Sequence, residues 1–189
     1  ETVTWTGAAD TSWAKAANWS AARVPIPTDH VVISATTRQP VLGCSAAVAS
    51  LTLGPGAALT AGGDLTVDGA LAVAGKLIAV GGETLTCRGD IAFTGRLVPA
   101  PSTTLLVCGD SPQTLALGTT DYGTLSIENA TVAISGSPSL SRLVCGDGAH
   151  ELVVAPASRL TVARLQLAGN ASDPSIRLRS AVAGQAWLL

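Results

Sequence analysis

The chain has 189 residues, with 11 Lys or Arg against 13 Asp or Glu, 20 Gly and no Met. Charged residues are 13% of it, against about 25% in an average soluble domain. The net charge of −2 supplies no general attraction to nucleic acid or to an anionic lipid surface. No apolar run approaches the roughly 18 residues that a membrane-spanning helix needs.

The first 42 residues hold three of the four Trp, at Trp5, Trp13 and Trp19, among loop signals such as Gly7, Asn18 and Val24-Pro25. Residues 12–23 are expected to form loop rather than helix, because Pro25 follows closely. The segment lacks the periodicity of residues 43–189. It reads as a cap, covering the strand edge and apolar core that an open repeat end would leave bare.

From residue 43 onward the chain repeats. Leu-x-apolar triplets recur at Leu51-Thr-Leu53, Leu65-Thr-Val67, Leu85-Thr-Cys87, Leu106-Val-Cys108, Leu125-Ser-Ile127, Leu143-Val-Cys145 and Leu160-Thr-Val162. A second apolar-x-apolar triplet follows the later ones at Leu71-Ala-Val73, Ile91-Ala-Phe93, Leu115-Ala-Leu117, Val132-Ala-Ile134, Leu152-Val-Val154 and Leu165-Gln-Leu167. Period-2 alternation sends the outer members of each triplet inward, and Gly-Asp and Gly-Gly turns end each strand. Two short strands per turn, at about 17–21 residues per rung, predict an all-β solenoid in which each rung hydrogen-bonds the next at roughly 4.8 Å. The predicted organisation is a cap at 1–42 and one continuous solenoid at 43–189.

Four Cys without a Cys-x-x-Cys motif or clustered His fit an oxidising compartment better than a metal site. No cofactor or metal is expected. Cys87, Cys108 and Cys145 fall in the predicted inward column, where each serves as a small core hydrophobe. Cys87 and Cys108 lie on adjacent predicted rungs, so a disulfide between them and a stack of free thiols both remain open. Cys44 and Cys145 are too distant from that pair to join it.

Candidate chemistry is sparse. Asp64, Asp90, Asp110 and Asp147 each sit in a Gly-Asp turn, where Asp bonds its own backbone. An acidic site across Asp90 and Asp110 is the sharper alternative. His30 and His150 lack a nucleophile partner and are expected at solvent or edge positions. Arg88-Gly89-Asp90 spells a receptor-binding tripeptide but falls where the repeat needs a turn. Asn18, Asn129 and Asn170 each begin a glycosylation acceptor pattern. Trp5, Trp13 and Trp19 either pack the cap or offer a flat platform to a glycan.

The opening Trp5-Thr-Gly7, Trp13, Asn18-Trp19, Val24-Pro25 and Asp29, the Leu-Thr-Val repeats, the Gln113 to Ile127 stretch with Tyr122, and the closing Ile176 to Ser180 with Gly184 and Trp187 together resemble modules of large bacterial secreted surface proteins. That family includes adhesin-like and autotransporter-like chains. The resemblance covers nearly the whole chain and implies a right-handed parallel β-helix, export, and a place outside the cell or on its surface. The chain departs from the family pattern in its four Cys and in ending on Trp187-Leu-Leu189. It reads as a processed or excised segment, since it starts at Glu1 without a leader.

The predicted outward residues carry the functional expectation. Thr52, Thr66, Thr86, Val107, Ser126, Val144 and Thr161 form one column, and Ala72, Ala92, Ala116, Ala133, Val153 and Gln166 the other. None is charged, although charge is a common guard against strand association. The expected function is therefore non-enzymatic. The chain is read as an extracellular structural β-solenoid that polymerises with itself into a filament or sheet, or forms a rod segment of a surface adhesin. Lateral contact is expected through Thr52, Thr66, Thr86, Ala72, Ala92, Ala116 and Ala133, and end contact through Val3, Trp5, Trp187 and Leu189. The alternative is a carbohydrate-binding or adhesive module that uses the Trp cluster on a cell-surface polysaccharide. An ice-binding face along Thr52, Thr66 and Thr86 is a lesser expectation.

Overall fold

The computed structural model describes residues 1–146, 150–168 and 176–185, and its secondary structure there is strand apart from one 3-10 turn at Ala16–Asn18. All paired strands of the sheets run parallel, as successive rungs of a β-solenoid must. The 3-10 turn lies within the stretch expected as loop.

Three sheets form the walls among the described residues. The longest has nine strands, running from Thr2–Thr4 and His30–Ile33 through Ser50–Leu53 to Ile176–Ser180. The second has eight strands, seven of them on its main path from Ala46–Val48 to Thr161–Val162, with Leu165–Leu167 also pairing on Ser139–Cys145. The third has four, at Val41–Leu42, Ala58–Ala61, Lys76–Ala79 and Arg96–Val98. The N-terminal strands thus extend the longest sheet in register, so cap and repeats share one wall.

The interior is a set of stacked apolar columns. In the longest sheet Val31, Leu51, Leu71, Ile91, Leu115, Ile134 and Val154 stack and are all buried. In the second sheet Leu65, Leu85, Leu105, Leu125 and Leu143 do the same. The third sheet contributes Leu59, Leu77 and Leu97.

This register corrects several expectations. There are three strands per turn in the first half of the solenoid, not two, because the third strand carries one Leu flanked by Ala or charge and gives a weak alternation signal. Leu51-Thr-Leu53 stacks under Leu71-Ala-Val73, not Leu65-Thr-Val67; the neighbour of the latter is Ala46-Ala-Val48. Thr52 therefore aligns with Val32 and Ala72, and the expected Thr52, Thr66, Thr86 column for ice does not form. Leu105 and Val107, rather than Leu106 and Cys108, face inward. Val107 is therefore core and leaves the outward column. A one-residue slip in register exchanges the faces of every side chain on the strand, and Leu105-Leu106 offered both readings. Leu165-Gln-Leu167 pairs with Leu143–Cys145 in the second sheet, while Ile176–Ser180 takes the place expected for it. Ala133 stacks with Thr114 and Val153, one step away from Ala116.

The corners are built on glycine where two rungs come closest. A Cβ on Gly95 would stand 2.1 Å from the Gly75 carbonyl oxygen, and one on Gly75 2.1 Å from the Ala57 carbonyl oxygen. No side chain fits at either. Gly95→Ala is expected to cost about 3 kcal/mol, since the rungs must separate to admit the methyl. Gly81→Ala, where a Cβ meets nothing within 4 Å, is expected within about 0.5 kcal/mol of wild type. Urea unfolding of the two variants compares them, and equal stabilities would remove close packing as the reason for Gly95.

Candidate functional site

The cap is held by one buried amide and one buried carboxylate. Asn18 is fully buried. Its Oδ1 accepts the Ala9 and Asp10 backbone N–H groups at 2.8 and 3.0 Å, and its Nδ2 donates to Asp10 Oδ1 and the Ser12 carbonyl at 2.7 and 2.9 Å. Every lone pair and hydrogen of the amide is used. Asp29 is equally buried and accepts from both terminal nitrogens of Arg23 and from the Ile26 N–H. Arg23 also reaches Glu1 Oε2 at 2.8 Å.

The three cap tryptophans pack edge to face, with ring centroids 4.9 Å apart for Trp5 and Trp19 and 4.7 Å for Trp13 and Trp19. Trp5 Nε1 donates to the Arg38 carbonyl at 2.7 Å and Trp19 Nε1 to the Trp13 carbonyl at 2.8 Å. At 1%, 3% and 3% exposure, none offers a ring face to a sugar. The glycan platform on Trp5, Trp13 and Trp19 is therefore corrected to cap core.

The expected N-terminal end contact is corrected as well. Val3 is buried. The outward backbone groups of Thr4 are taken by the chain itself: its N–H donates to Ser20 Oγ, and its carbonyl accepts the Ser20 N–H, each at 2.9 Å. Trp5 bridges Trp19 beside them in antiparallel fashion. A strand edge already covered in this way is not available for head-to-tail pairing at Thr4 and Trp5. Trp187 and Leu189 lie outside the described residues, as do Asp147 and Asn170.

All four cysteines are free. Cys87 pairs across the rung with Val107, so Cys108 lies one residue further on, where alternation turns its side chain to the opposite face. Of the two readings left open for Cys87 and Cys108, the register removes the bridge, and with it their stacking in one column. Burial pushes the Cys87 thiol up to about 12 and the Cys145 thiol up to about 11; Cys44 is exposed.

The turn carboxylates cap the neighbouring rung. Asp64 Oδ1 accepts the Thr84 N–H at 2.8 Å and Asp90 Oδ1 the Thr114 N–H at 2.7 Å. Arg88 pairs with Asp68, so both charges of Arg88-Gly89-Asp90 bond within the chain. Among the described residues, no three His, Cys, Asp or Glu side chains gather as a metal site would require.

His30 is exposed, with Nδ1 2.8 Å from Ser50 Oγ. His150 is buried, contrary to expectation, because the solenoid carries an internal polar column at one corner. Gln113 Oε1 accepts the Gly109 N–H and an Asn129 Nδ2 hydrogen, each at 2.8 Å. The two Asn129 Nδ2 hydrogens are shared among that oxygen and the Gly109 and Ser111 carbonyls, 2.6 and 2.7 Å from the nitrogen. His150 Nδ1 and Nε2 then lie 2.8 and 3.1 Å from the Asn129 and Gly146 carbonyls. The single polar residue opening Gln113-Thr-Leu-Ala-Leu was the sequence signal for this column. Asn18 and Asn129 are buried, which removes both as glycosylation acceptors in the folded chain.

The outer face of the longest sheet is open to solvent and uncharged over most of its strands. Thr4, Val32, Thr52, Ala72, Ala92, Ala116 and Ser135 follow one another across seven strands. Charge enters this sheet's strands late, with Glu151, Arg177 and Arg179; Arg179 Nε bonds Glu151 at 2.6 Å.

Residues 4–81 match a family model described as a domain of unknown function (DUF8693). That segment runs from the Trp cap through the first strands of all three sheets, across the expected boundary at residue 42. No curated protein and no solved structure matches the chain.

Two outcomes check this site. Hydrogen bonds from Lys15 and then Asn18 lower Asp10 from 3.8 to about 2, and the Arg23 guanidinium holds Asp29 well below the usual carboxylate range. Both folded values are depressed, so their stabilisation is present above the ordinary carboxylate pKa and is lost as pH falls through the folded values. Unfolding free energy followed by Trp emission is expected to drop between about pH 4 and pH 2, and a flat profile there would contradict the two carboxylate networks. Iodoacetamide at neutral pH is expected to modify Cys44 first, and Cys87 and Cys145 only after unfolding. The unfolded, unreduced chain should take up label on all four thiols; two protected thiols would restore the bridge.

Proposed function

We propose that this chain is a non-enzymatic extracellular structural protein, a rod segment of a bacterial surface protein that packs side by side through the outer face of its longest sheet. The observation that carries the reading is the uncharged column from Thr4 to Ser135, which includes Thr52, Ala72, Ala92 and Ala116. Small side chains on a wide sheet let a second sheet approach closely, and the missing charges remove the usual penalty for association. The outer face of the second sheet, with Thr66 and Thr86, is a lesser contact because Arg142 and Leu106 interrupt it.

A structural role also accounts for the carboxylates. Catalysis on a glycan needs two carboxyl groups converging on one groove, whereas Asp64 and Asp90 are engaged in joining one rung to the next. Export fits the resemblance to secreted surface modules. The covered N-terminal edge favours lateral contact over head-to-tail growth.

Sedimentation velocity over rising concentration, with electron microscopy of the same samples, tests the proposal. Wild type is expected to associate, and Ala92→Glu with Ala116→Glu to remain monomeric with an unchanged circular dichroism spectrum. Strictly monomeric wild type at high concentration would overturn lateral packing.

A further inference from the structure

At the corner between the longest and the third sheet lies a cleft of about 400 Å³ whose floor is Ala57, Ala58, Ala74, Gly75 and Gly95. This floor carries no side chain larger than a methyl group. Lys76 and Arg96 line the cleft and stack in register on adjacent strands, so the two cations recur at roughly 4.8 Å. Both are exposed, and neither forms an ion pair or a side-chain hydrogen bond among the described residues, whereas Lys15, Arg23, Arg88 and Arg179 all have carboxylate partners. A second cleft of about 290 Å³ shares Gly95 and Arg96 with the first and adds Thr119, Thr120 and Asp121. The two together make a groove along the solenoid axis, cationic in its middle and lined by hydroxyls and a carboxylate at one end.

We propose that this groove binds an acidic polysaccharide, with uronate carboxylates on Lys76 and Arg96 and sugar hydroxyls on Thr119, Thr120 and Asp121. The repeat of the cations is close to the length of one sugar unit, and the flexible Lys and Arg stems accommodate the remaining offset. The flat Gly and Ala floor suits a sugar ring. Strand addition by an acidic peptide has an open edge only at Arg96–Val98, the last strand of its sheet, because Lys76–Ala79 is paired on both sides. Nucleic acid is disfavoured by the net charge and by Asp121.

Calorimetric titration of the full chain with a short oligogalacturonate at low salt tests the site, with the methyl-esterified oligomer and a glutamate oligopeptide as comparisons. The oligogalacturonate is expected to bind, each of Lys76→Ala and Arg96→Ala to weaken it about tenfold, and added salt to weaken it further. Both side chains are exposed, so the variants should keep wild-type unfolding curves. No binding of the oligogalacturonate, equal binding of the ester, undiminished binding by the double variant, or tighter binding of the glutamate peptide would each overturn the proposal.

Discussion

The hydrogen bond from one rung to the next governs this molecule. A parallel ladder joins residues in fixed register, so a choice made on one rung is imposed on its neighbours. Leu65 requires an apolar residue at 85, and 85 at 105, because the three are registered side by side. The same constraint forbids a Cβ at Gly75 and Gly95, where the backbones meet at the corner. It also explains why a polar residue inside comes in company. Once Gln113 enters the interior its amide needs partners that an apolar neighbour cannot supply, and Asn129 on the following rung provides one. His150 continues the column by sitting against the Asn129 carbonyl.

The ladder has a cost at its ends, where the last strand must leave its outer groups unpaired or find them other partners. The N-terminal segment solves this without another rung. It folds back across Thr4 and Trp5 as an irregular chain, and irregular chain has its own buried backbone groups to satisfy. Asn18 does that for Ala9, Asp10 and Ser12, while Asp29 and Arg23 tie the returning strand to the first residue. The indoles then supply bulk that the short loops lack. The cap depends chiefly on polar networks and the rungs chiefly on apolar columns.

The solenoid was legible in the sequence because period-2 triplets about 20 residues apart suit stacked rungs and few folds besides. What escaped were features in which apolar pattern and register disagree. Ala46-Ala-Val48 is too weakly apolar to show as the start of a column, so Leu51-Thr-Leu53 took its place and carried Thr52 to the wrong sheet. Leu105-Leu106 permits two registers, and only the stacking of Leu105 on Leu85 selects one. That single slip created the cysteine pair at 87 and 108. The cap tryptophans were recognisable as a cluster, but the sequence holds no signal for which side of an indole meets solvent. Burial of His150 depended on Gln113 and Asn129 arriving at one corner, a three-rung coincidence that spacing alone does not single out.

Charge placement obeys the same ladder. A charged side chain on an outward strand position is repeated or opposed one rung away at roughly 4.8 Å, so like charges stacked there repel unless something lies between them. Most of the chain avoids the problem by leaving its strand faces uncharged or by pairing opposite signs, as with Asp68 and Arg88 or Glu151 and Arg179. Lys76 and Arg96 do neither: two cations stand in register beside a cleft of Gly and Ala, and neither forms an ion pair among the described residues. In a molecule so sparing of charge, such a pair raises the energy of the free state and lowers it again when an anion enters. The low overall charge therefore has two readings in one structure, a smooth wall suited to packing and a corner where positive charge has been kept without a partner.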